Sequence, residues 1–244
     1  NANYLVSICF EQLLCMKNHI LKLLFLPILF ISCGDNIENP DYLNESLPVD
    51  TRVDDLMSRM NLYEKACQMN QFVGIEHMKK SEMDLSEEDM KKSDTKGFYK
   101  GVFSDDVKQM IIDGKIGSFL HVLTAKEANY LQELAYQSKL KIPLLIAIDA
   151  IHGNALYEGA TVYPSPIAIA STWNETNSYD VGKQTAFEMR STGSHWALTP
   201  NIDVMRDARW GRVMEGAGED PFLSSLIAEA RIKGFQGDDL SKHN

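Results

Sequence analysis

From Val107 onward, short apolar runs alternate with amphipathic helical segments along the chain. Three such runs, IGSFLHVL, IPLLIAIDA and HWALTPNIDV, occupy 116–123, 142–150 and 195–204. Continuous apolar runs between helices are typical of strands that are buried on both faces. The pattern therefore predicts an α/β fold, in which three strand-then-helix units form a parallel sheet covered by helices. Either a doubly wound sheet or a (β/α) barrel fits this pattern.

The predicted helices begin at residues that commonly cap helices. Thr124 and Glu127 predict a capping box at the first helix. Asn174 is the predicted N-cap of the second helix. Asp220 is the predicted N-cap of the third helix, and Pro221 occupies its first position. The inward face of the third helix is predicted to contain Leu223, Leu226, Ile227 and Ala230.

Ahead of these units, folding is predicted to begin near Asp50 with two short helices. The second of these helices begins after Asn61, where Glu64 completes a capping box. Residues 77–106 are rich in charged residues and serine, which predicts a surface excursion with some helix. The apolar residues of the first helix lie at helical spacing and are Val53, Leu56, Met57 and Met60.

The segment MKNHILKLLFLPILFISCG, at 16–34, has the features of a bacterial lipoprotein signal. It has two lysines near its start, an apolar stretch at 23–31 and a small residue directly before Cys33. The apolar stretch is shorter than the roughly 20 residues that a membrane-spanning helix needs. We expect 16–33 to be a signal peptide with lipid attached to Cys33. The alternative is a buried helix, which Pro27 would interrupt.

The residues on either side of this signal are expected to lie outside the fold. Residues 1–15 carry no recognisable signal, and we expect them to be upstream sequence read through before the initiator Met16. Residues 34–49 form a polar tether that would let a domain stand off a membrane. The expected location is the bacterial cell envelope, periplasmic or at the cell surface, with Cys33 as the anchor. Cys67 is expected to pack in the core.

The charge balance suits a neutral substrate. The formal net charge is −10, and 44% of the residues are hydrophobic and 24% charged. These proportions are ordinary for a globular protein and exclude disordered and collagen-like classes. Nucleic-acid binding requires a basic face that neutralises phosphates, so an acidic chain argues against a nucleic-acid partner.

The most polar segment, WALTPNIDVMRDARWGRVMEGAGEDP, begins within the third apolar run and continues past its end. In both candidate folds, ligands face the side chains at the carboxyl ends of parallel strands and in the loops that follow. Asp149 and His152 end the second predicted strand, and residues 203–220 follow the third. These positions are therefore the candidate functional site.

Three segments resemble the amino-terminal part of family 3 glycoside hydrolases of the β-glucosidase or exo-glucanase type. They are IPLLIAIDAIHGNALYEGATVYPSPIAIASTW, the polar segment above, and the closing GFQGDDLS. The resemblance implies a (β/α)8 TIM-type barrel, truncated here after about three units, with an α/β domain downstream. It also implies removal of terminal non-reducing β-D-glucosyl residues with net retention. Asp149 and Arg212 match the family's sugar-binding residues: a carboxylate accepts from hydroxyls and a guanidinium donates to them.

The polar residues near Arg212 admit several roles. An ion-paired loop around Trp210 is expected to hold Arg212 in place. The charged members of this loop are Arg206, Asp207 and Arg209. Arg206 is also a candidate for direct substrate contact. His152 is another, although it could instead be a strand-end histidine bonded to the backbone.

The acidic residues at the end of the polar segment suggest a metal site. However, no histidine accompanies them, and the spacing of a calcium-binding loop is absent. Asp220 is better explained as a helix cap. We therefore expect neither a metal nor a cofactor. The acidic residues concerned are Glu215, Glu219 and Asp220.

Neither catalytic carboxyl group is identified in this sequence. A retaining glycosidase needs two, about 5 to 5.5 Å apart, and the resemblance implies that both come from later parts of the fold. Lys242 and His243 have the residue types of a family sugar-binding pair, but no apolar strand precedes them, which predicts a loop. We expect 50–244 to be an incomplete barrel domain that is inactive alone. An open sheet edge would also make it prone to aggregate.

Other functions remain open from the sequence. A lipid-anchored, non-catalytic sugar-binding protein would keep Asp149 and Arg212 without a nucleophile. Another glycosidase specificity, such as β-xylosidase or N-acetylglucosaminidase, would use the same barrel. The N-acetylglucosaminidase alternative is disfavoured because its usual loop lacks RDARWGR, the sequence at 206–212.

Overall fold

The computed structural model describes residues 39–84, 102–237 and 239–240. The predicted signal peptide with Cys33, part of the surface excursion and the pair Lys242 and His243 lie outside these residues. The chain forms two compact units, with the boundary between Met60 and Asn61.

The first unit contains a short 3-10 turn, Asp41–Leu43, and helix α1, Val49–Arg59. The Asp55 carboxylate accepts hydrogen bonds from the Tyr42 backbone N–H, at 3.1 Å, and from Arg59 Nε, at 2.9 Å. The helix begins where the sequence predicts the start of folding.

The second unit alternates helices with four parallel strands. The strands β1 to β4 are paired in sequence order within one sheet. They are β1 (Gln71–Val73), β2 (Ser118–Leu120), β3 (Leu145–Ile148) and β4 (Trp196–Ala197). The helices are α2 (Leu62–Cys67), α3 (Ile75–Asp84), α4 (Ser104–Ile112), α5 (Ala125–Ala135), α6 (Pro166–Ala170), α7 (Glu175–Ser191) and α8 (Pro221–Gln236).

The strand order selects the barrel among the two predicted α/β folds. A doubly wound sheet reverses its strand order at a switch point, whereas successive barrel strands are neighbours. The sheet here runs β1-β2-β3-β4 without a reversal. Three of these strands coincide with the predicted apolar runs. β1 is additional, so the described chain has four strands rather than the three predicted.

The third predicted strand is much shorter than its apolar run. Only Trp196–Ala197 is a strand, although the Leu198 N–H also donates to the Ile148 carbonyl at 3.0 Å. Pro200 then follows and cannot donate a ladder hydrogen bond. Consequently, most of the polar segment is irregular backbone.

The main core lies between β1 to β3 and the helices that cover them. Phe119, Met78 and Leu131 are fully buried at its centre, and Ile146 is 1% exposed. Cys67 is buried as a free thiol, which confirms its prediction as a core residue. Among the described residues, no helix combines the length and apolar character that a membrane span requires.

The predicted helix caps are largely confirmed. Asn61 and Glu64 form a reciprocal capping box. Asn174 accepts from the Thr176 N–H at 3.0 Å, and Asp220 accepts from the Phe222 N–H at 2.9 Å.

The capping box predicted at α5 is only half present. Thr124 accepts a hydrogen bond from the Glu127 N–H at 3.0 Å, as expected. However, the Glu127 carboxylate is buried and instead accepts from the Glu76 N–H, at 2.9 Å. It thereby joins the start of α3 to α5, which is a tertiary contact that local sequence spacing does not reveal.

The inward face of α8 also differs from the prediction. Ile227 is buried as expected, but Leu223, Leu226 and Ala230 are only partly buried. Two glycines explain this difference. A Cβ on Gly234 would lie 2.3 Å from the Tyr179 carbonyl oxygen, and one on Gly182 would lie 2.6 Å from that of Arg231. The close crossing of α7 and α8 therefore turns small and polar residues of α8 inward.

Candidate functional site

The candidate site lies where β2 and β3 end. His121 directly follows β2, and Asp149 directly follows β3. The backbone is left-handed at His121, with φ 56°, and at Ala150, with φ 52°. Such conformations are uncommon for residues other than glycine and often occur at functional sites. His121 and Asp149 thus lie at the carboxyl-terminal end of the sheet, where the backbone makes left-handed turns.

Asp149 is bonded to His121 across these strand ends. Asp149 Oδ2 lies 2.9 Å from His121 Nε2. Because a carboxylate only accepts hydrogen bonds, Nε2 carries the proton. The Asp149 side chain is 42% exposed, whereas that of His121 is 20% exposed. The carboxylate is therefore open to a ligand while its orientation is held from one side.

A second histidine ring lies behind this pair. The ring centroids of His77, on α3, and His121 are 6.1 Å apart. Burial is the main cause that lowers the pKa of His77, and the charges of His121 and Lys80 lower this pKa further. His77 is thus biased towards its neutral form.

Arg212 occupies the loop after β4, beside a 3-10 turn, Val213–Glu215. Its Nε donates to Glu215 Oε2 at 2.8 Å, and Asn201 Nδ2 donates to the same oxygen at 2.5 Å. The hydrogen bond from Arg212 is the main cause that holds the pKa of Glu215 below its usual range. Glu215 is therefore a charged anchor for the arginine.

Asp149 and Arg212 lie within electrostatic range of each other and do not form an ion pair. The charge of Asp149 contributes to raising the pKa of Arg212, after the larger effect of Glu215, so the two groups lie within electrostatic range. Yet the ion pairs of the described residues do not join them: Asp149 bonds to His121, and Arg212 bonds to Glu215. Each of the two opposite charges is therefore held by its own partner rather than by the other.

His152 is bonded to the backbone, which is one of the two roles that the sequence left open. Its Nδ1 lies 3.0 Å from the Tyr163 carbonyl oxygen, so this nitrogen carries a proton and donates. The same residue also contributes to the low pKa of Glu215 through its charge. His152 is therefore bonded to the backbone and lies near the anchor of Arg212, with Nε2 not engaged by that bond.

The expected ion-paired loop is present in part. Arg209 Nε donates to Asp207 Oδ1 at 2.9 Å, but this pair is largely exposed, with 90% of the arginine side chain accessible. Arg206 is also exposed. The Arg212 guanidinium donates its hydrogen bonds to Glu215, so the expected support by the Arg209 pair is not what fixes this side chain.

The remaining acidic residues have ordinary structural roles. Asp220 caps α8, as predicted, and Glu219 is exposed. Within the described residues, no three His, Cys, Asp or Glu side chains cluster closely enough to hold a metal ion.

Sequence reasoning missed His121, Asn201 and the anchoring role of Glu215. The strand-end rule that selects Asp149 also applies to His121, which directly follows β2, although the apolar run continues past it. Glu215 lies three residues after Arg212, a spacing that predicts a local ion pair when the backbone is helical. No local pattern distinguishes Asn201, because its partner lies 14 residues away.

Comparison with known proteins identifies the family of this site. The family model described as "Glycosyl hydrolase family 3 N terminal domain" matches residues 62–243. Among curated relatives, the Periplasmic beta-glucosidase of Salmonella typhimurium is 36% identical over 132 residues, which is 54% of this chain and 17% of that protein. The Beta-xylosidase of Formosa agariphila is 39% identical over 133 residues, which is 52% of this chain and 18% of that protein.

Solved structures show the same relationship. A mutant β-glucosidase from Listeria innocua in complex with laminaribiose has a TM-score of 0.61 at 29% identity, covering 79% of this chain and 24% of that one. An exo-1,3/1,4-β-glucanase from Pseudoalteromonas has a TM-score of 0.60 at 27% identity, covering 82% and 24%. The chain spans about a fifth of the length of these relatives. The chain therefore belongs to glycoside hydrolase family 3, and its second unit corresponds to the N-terminal, barrel-type domain of that family.

Proposed function

We propose that this chain supplies the substrate-binding part of a retaining β-glycosidase that removes terminal non-reducing β-D-glucosyl residues. The observation that carries the proposal is that two opposite charges within electrostatic range are held by separate partners, Asp149 by His121 and Arg212 by Glu215. Similarity to β-glucosidases and an exo-β-glucanase supports the choice of a glucosyl substrate.

The two charged groups have complementary hydrogen-bonding abilities towards a sugar. Each sugar hydroxyl both donates and accepts a hydrogen bond. The Asp149 carboxylate can accept from two neighbouring hydroxyls, and the Arg212 guanidinium can donate to others. Because both side chains are already held by His121 and Glu215, less side-chain freedom is lost when the sugar binds.

The reaction itself requires groups beyond this binding pair. Retention needs a nucleophilic carboxylate and an acid/base about 5 to 5.5 Å apart. We propose that both are contributed outside the described residues, as the family resemblance implies. The isolated 244-residue chain is then expected to show no glucosidase turnover above background.

The direct test is hydrolysis by the complete product of the gene that encodes this chain. Aryl β-glucoside, aryl β-xyloside and aryl N-acetyl-β-glucosaminide should be compared at equal enzyme concentration. The proposal expects the highest kcat/KM for the glucoside. No hydrolysis of any of the three would instead favour a non-catalytic sugar-binding protein.

A β-xyloside is the second candidate substrate. The 39% identity to the β-xylosidase of Formosa agariphila favours it. Xylose lacks the exocyclic hydroxymethyl group of glucose, so the two substrates differ at a single position of the ring. A kcat/KM that is higher for the xyloside than for the glucoside would establish this alternative.

We further propose that the protein resides in the bacterial envelope and is anchored by lipid on Cys33. The lipoprotein-like segment at 16–33 supports this location, and the periplasmic β-glucosidase relative is consistent with it. Cys33→Ala should abolish incorporation of labelled fatty acid in cells, whereas Cys67→Ala, which alters a buried thiol, should leave labelling intact. Equal labelling of both variants would refute the anchor.

A further inference from the structure

The backbone around His121 is held by hydrogen bonds of the sheet, independently of the contacts of its ring. Its N–H donates to the Ala147 carbonyl on β3, at 3.0 Å. The preceding residue, Leu120, accepts from the Gly74 N–H at 2.9 Å, which ties the same turn to the end of β1. With its φ of 56°, the residue leaves the sheet in a left-handed turn. The direction of the imidazole is therefore set by three adjacent strands.

The ring makes the one hydrogen bond that the Asp149 carboxylate has within the described residues. His121 Nε2 donates to Asp149 Oδ2 at 2.9 Å. A largely open aspartate otherwise rotates about two side-chain torsions and presents its oxygens in several directions. The bond engages Oδ2, restrains this rotation and leaves Oδ1 without a hydrogen bond to the histidine.

We propose that His121 is a positioning residue, which orients Asp149 so that Oδ1 meets a hydroxyl of the substrate. The inference rests on the proposed function, because it concerns the same sugar-binding carboxylate. His121 itself does not touch the substrate. Its contribution to binding passes through Asp149.

Three substitutions of His121 distinguish the effect of the hydrogen bond from the effect of the left-handed backbone. His121→Gly accepts the left-handed φ without strain but removes the donor. His121→Asn also tolerates this φ, but its amide nitrogen corresponds in reach to Nδ1 and not to Nε2. His121→Gln places an amide nitrogen at about the reach of Nε2 and so retains a donor to Asp149.

The measurement is kcat/KM of the complete gene product for an aryl β-glucoside, with the Tm of each variant as a check on folding. We expect His121→Gly and His121→Asn to lower kcat/KM about tenfold, the effect of losing one hydrogen bond to a charged group. His121→Gln should remain within about threefold of the unaltered protein. Rescue by glutamine, which has no special tolerance for a left-handed backbone, would exclude a purely conformational role.

A double-mutant cycle tests whether the effect passes through Asp149. In an Asp149→Ala background, adding His121→Gly should change kcat/KM less than about twofold, because the carboxylate that it positions is absent. A further tenfold loss in that background would overturn the proposal, and so would equal activity of the glycine and glutamine variants. Aryl glycosides release a chromophore, so the slow turnover of Asp149→Ala can be followed at high enzyme concentration.

The outcomes also distinguish this inference from the proposed function. If the unaltered gene product hydrolyses the glucoside and Asp149→Ala is impaired while every His121 variant is fully active, only the positioning role fails. If the unaltered protein hydrolyses none of the aryl glycosides, the proposed function fails and the positioning role falls with it.

Discussion

The two halves of the candidate site are held in different ways. Asp149 follows β3, whose residues Ile146 and Ile148 are each 1% exposed, so the sheet and its core place this carboxylate. Arg212 lies in irregular backbone, its side chain is 60% exposed, and a polar contact with Glu215 places it. Packing therefore sets the position of the acceptor, Asp149, whereas local hydrogen bonds set the position of the donor, Arg212. Substitutions in the core beneath Asp149 should therefore lower stability, whereas substitution of Arg212 should lower activity.

The largest effect is expected from the core beneath the Asp149 half. Phe119 is fully buried on β2, and Phe119→Ala should lower the free energy of unfolding of the complete gene product by about 3–5 kcal/mol. Denaturant unfolding measures this change. Phe222→Ala is the matched control, because Phe222 is 70% exposed, and it should change the stability by less than about 0.5 kcal/mol. Equal effects of the two substitutions would contradict the assigned core.

The Arg212 half should lose activity without losing stability. Arg212→Ala is expected to lower kcat/KM for a β-glucoside well over tenfold, because a charged donor to the sugar is lost. Its Tm should stay within about 2 °C of the unaltered protein, as expected for an exposed side chain. Arg209→Ala removes an arginine of the same loop that pairs only with Asp207, and should change kcat/KM less than about twofold. Unchanged kinetics of the Arg212 variant would remove this residue from the site.

Glu127 provides a pH-dependent test of the Asp149 half. Burial is the main cause that raises the pKa of Glu127, so the folded state favours its protonated form. The stabilising contribution of the protonated Glu127 carboxyl is fully present below the ordinary glutamate pKa. It is lost as the pH rises through the raised pKa of the folded state. Glu127→Gln keeps the acceptor for the Glu76 N–H and removes the charge.

The Glu127→Gln variant should accordingly match the unaltered protein near pH 4 and exceed its free energy of unfolding by about 1 kcal/mol near pH 8. Urea unfolding at the two pH values measures the difference. Glu133→Gln, on the exposed side of α5, should show no such divergence. A stability difference that is constant with pH would show that the Glu127 carboxyl is not the titrating group.

The smallest effect is expected at the anchor of Arg212. Glu215→Gln retains an acceptor but replaces a charge-assisted hydrogen bond with a neutral one, and kcat/KM should fall about threefold. The pKa of Glu215 is lowered, so its pairing is present at neutral pH and is lost only as the pH falls below the usual glutamate range. The difference between variant and unaltered protein should therefore persist at pH 5. Glu219→Gln, in the same loop, should behave like the unaltered protein.

The sequence predicts the Asp149 half better than the Arg212 half, for a physical reason. Buried strands produce long apolar runs, so the position of Asp149 at the end of one run follows directly from the pattern. Strand β1 is harder to predict, because its apolar stretch contains only Phe72 and Val73 before Gly74. His121 was overlooked because the apolar run continues past it, through Val122 and Leu123.

The polar contacts that hold Arg212 are difficult to predict from the sequence. The hydrogen bonds to Glu215 come from Asn201 and Arg212, which are brought together by irregular backbone. Glu215 and Asp207 both lie close to Arg212 in the sequence, and the expected ion-paired loop contains Asp207. That carboxylate pairs with Arg209 instead. Only the three-dimensional arrangement decides between such alternatives.

The central claim is that Asp149 and Arg212 bind one sugar between them. The most direct measurement is a crystal structure of the complete gene product with glucose bound. We predict that an Asp149 oxygen accepts a hydrogen bond from one sugar hydroxyl and that the Arg212 guanidinium donates to another, each at about 2.7 to 3.2 Å. A glucose that is bound elsewhere, or that contacts neither side chain, would contradict the claim.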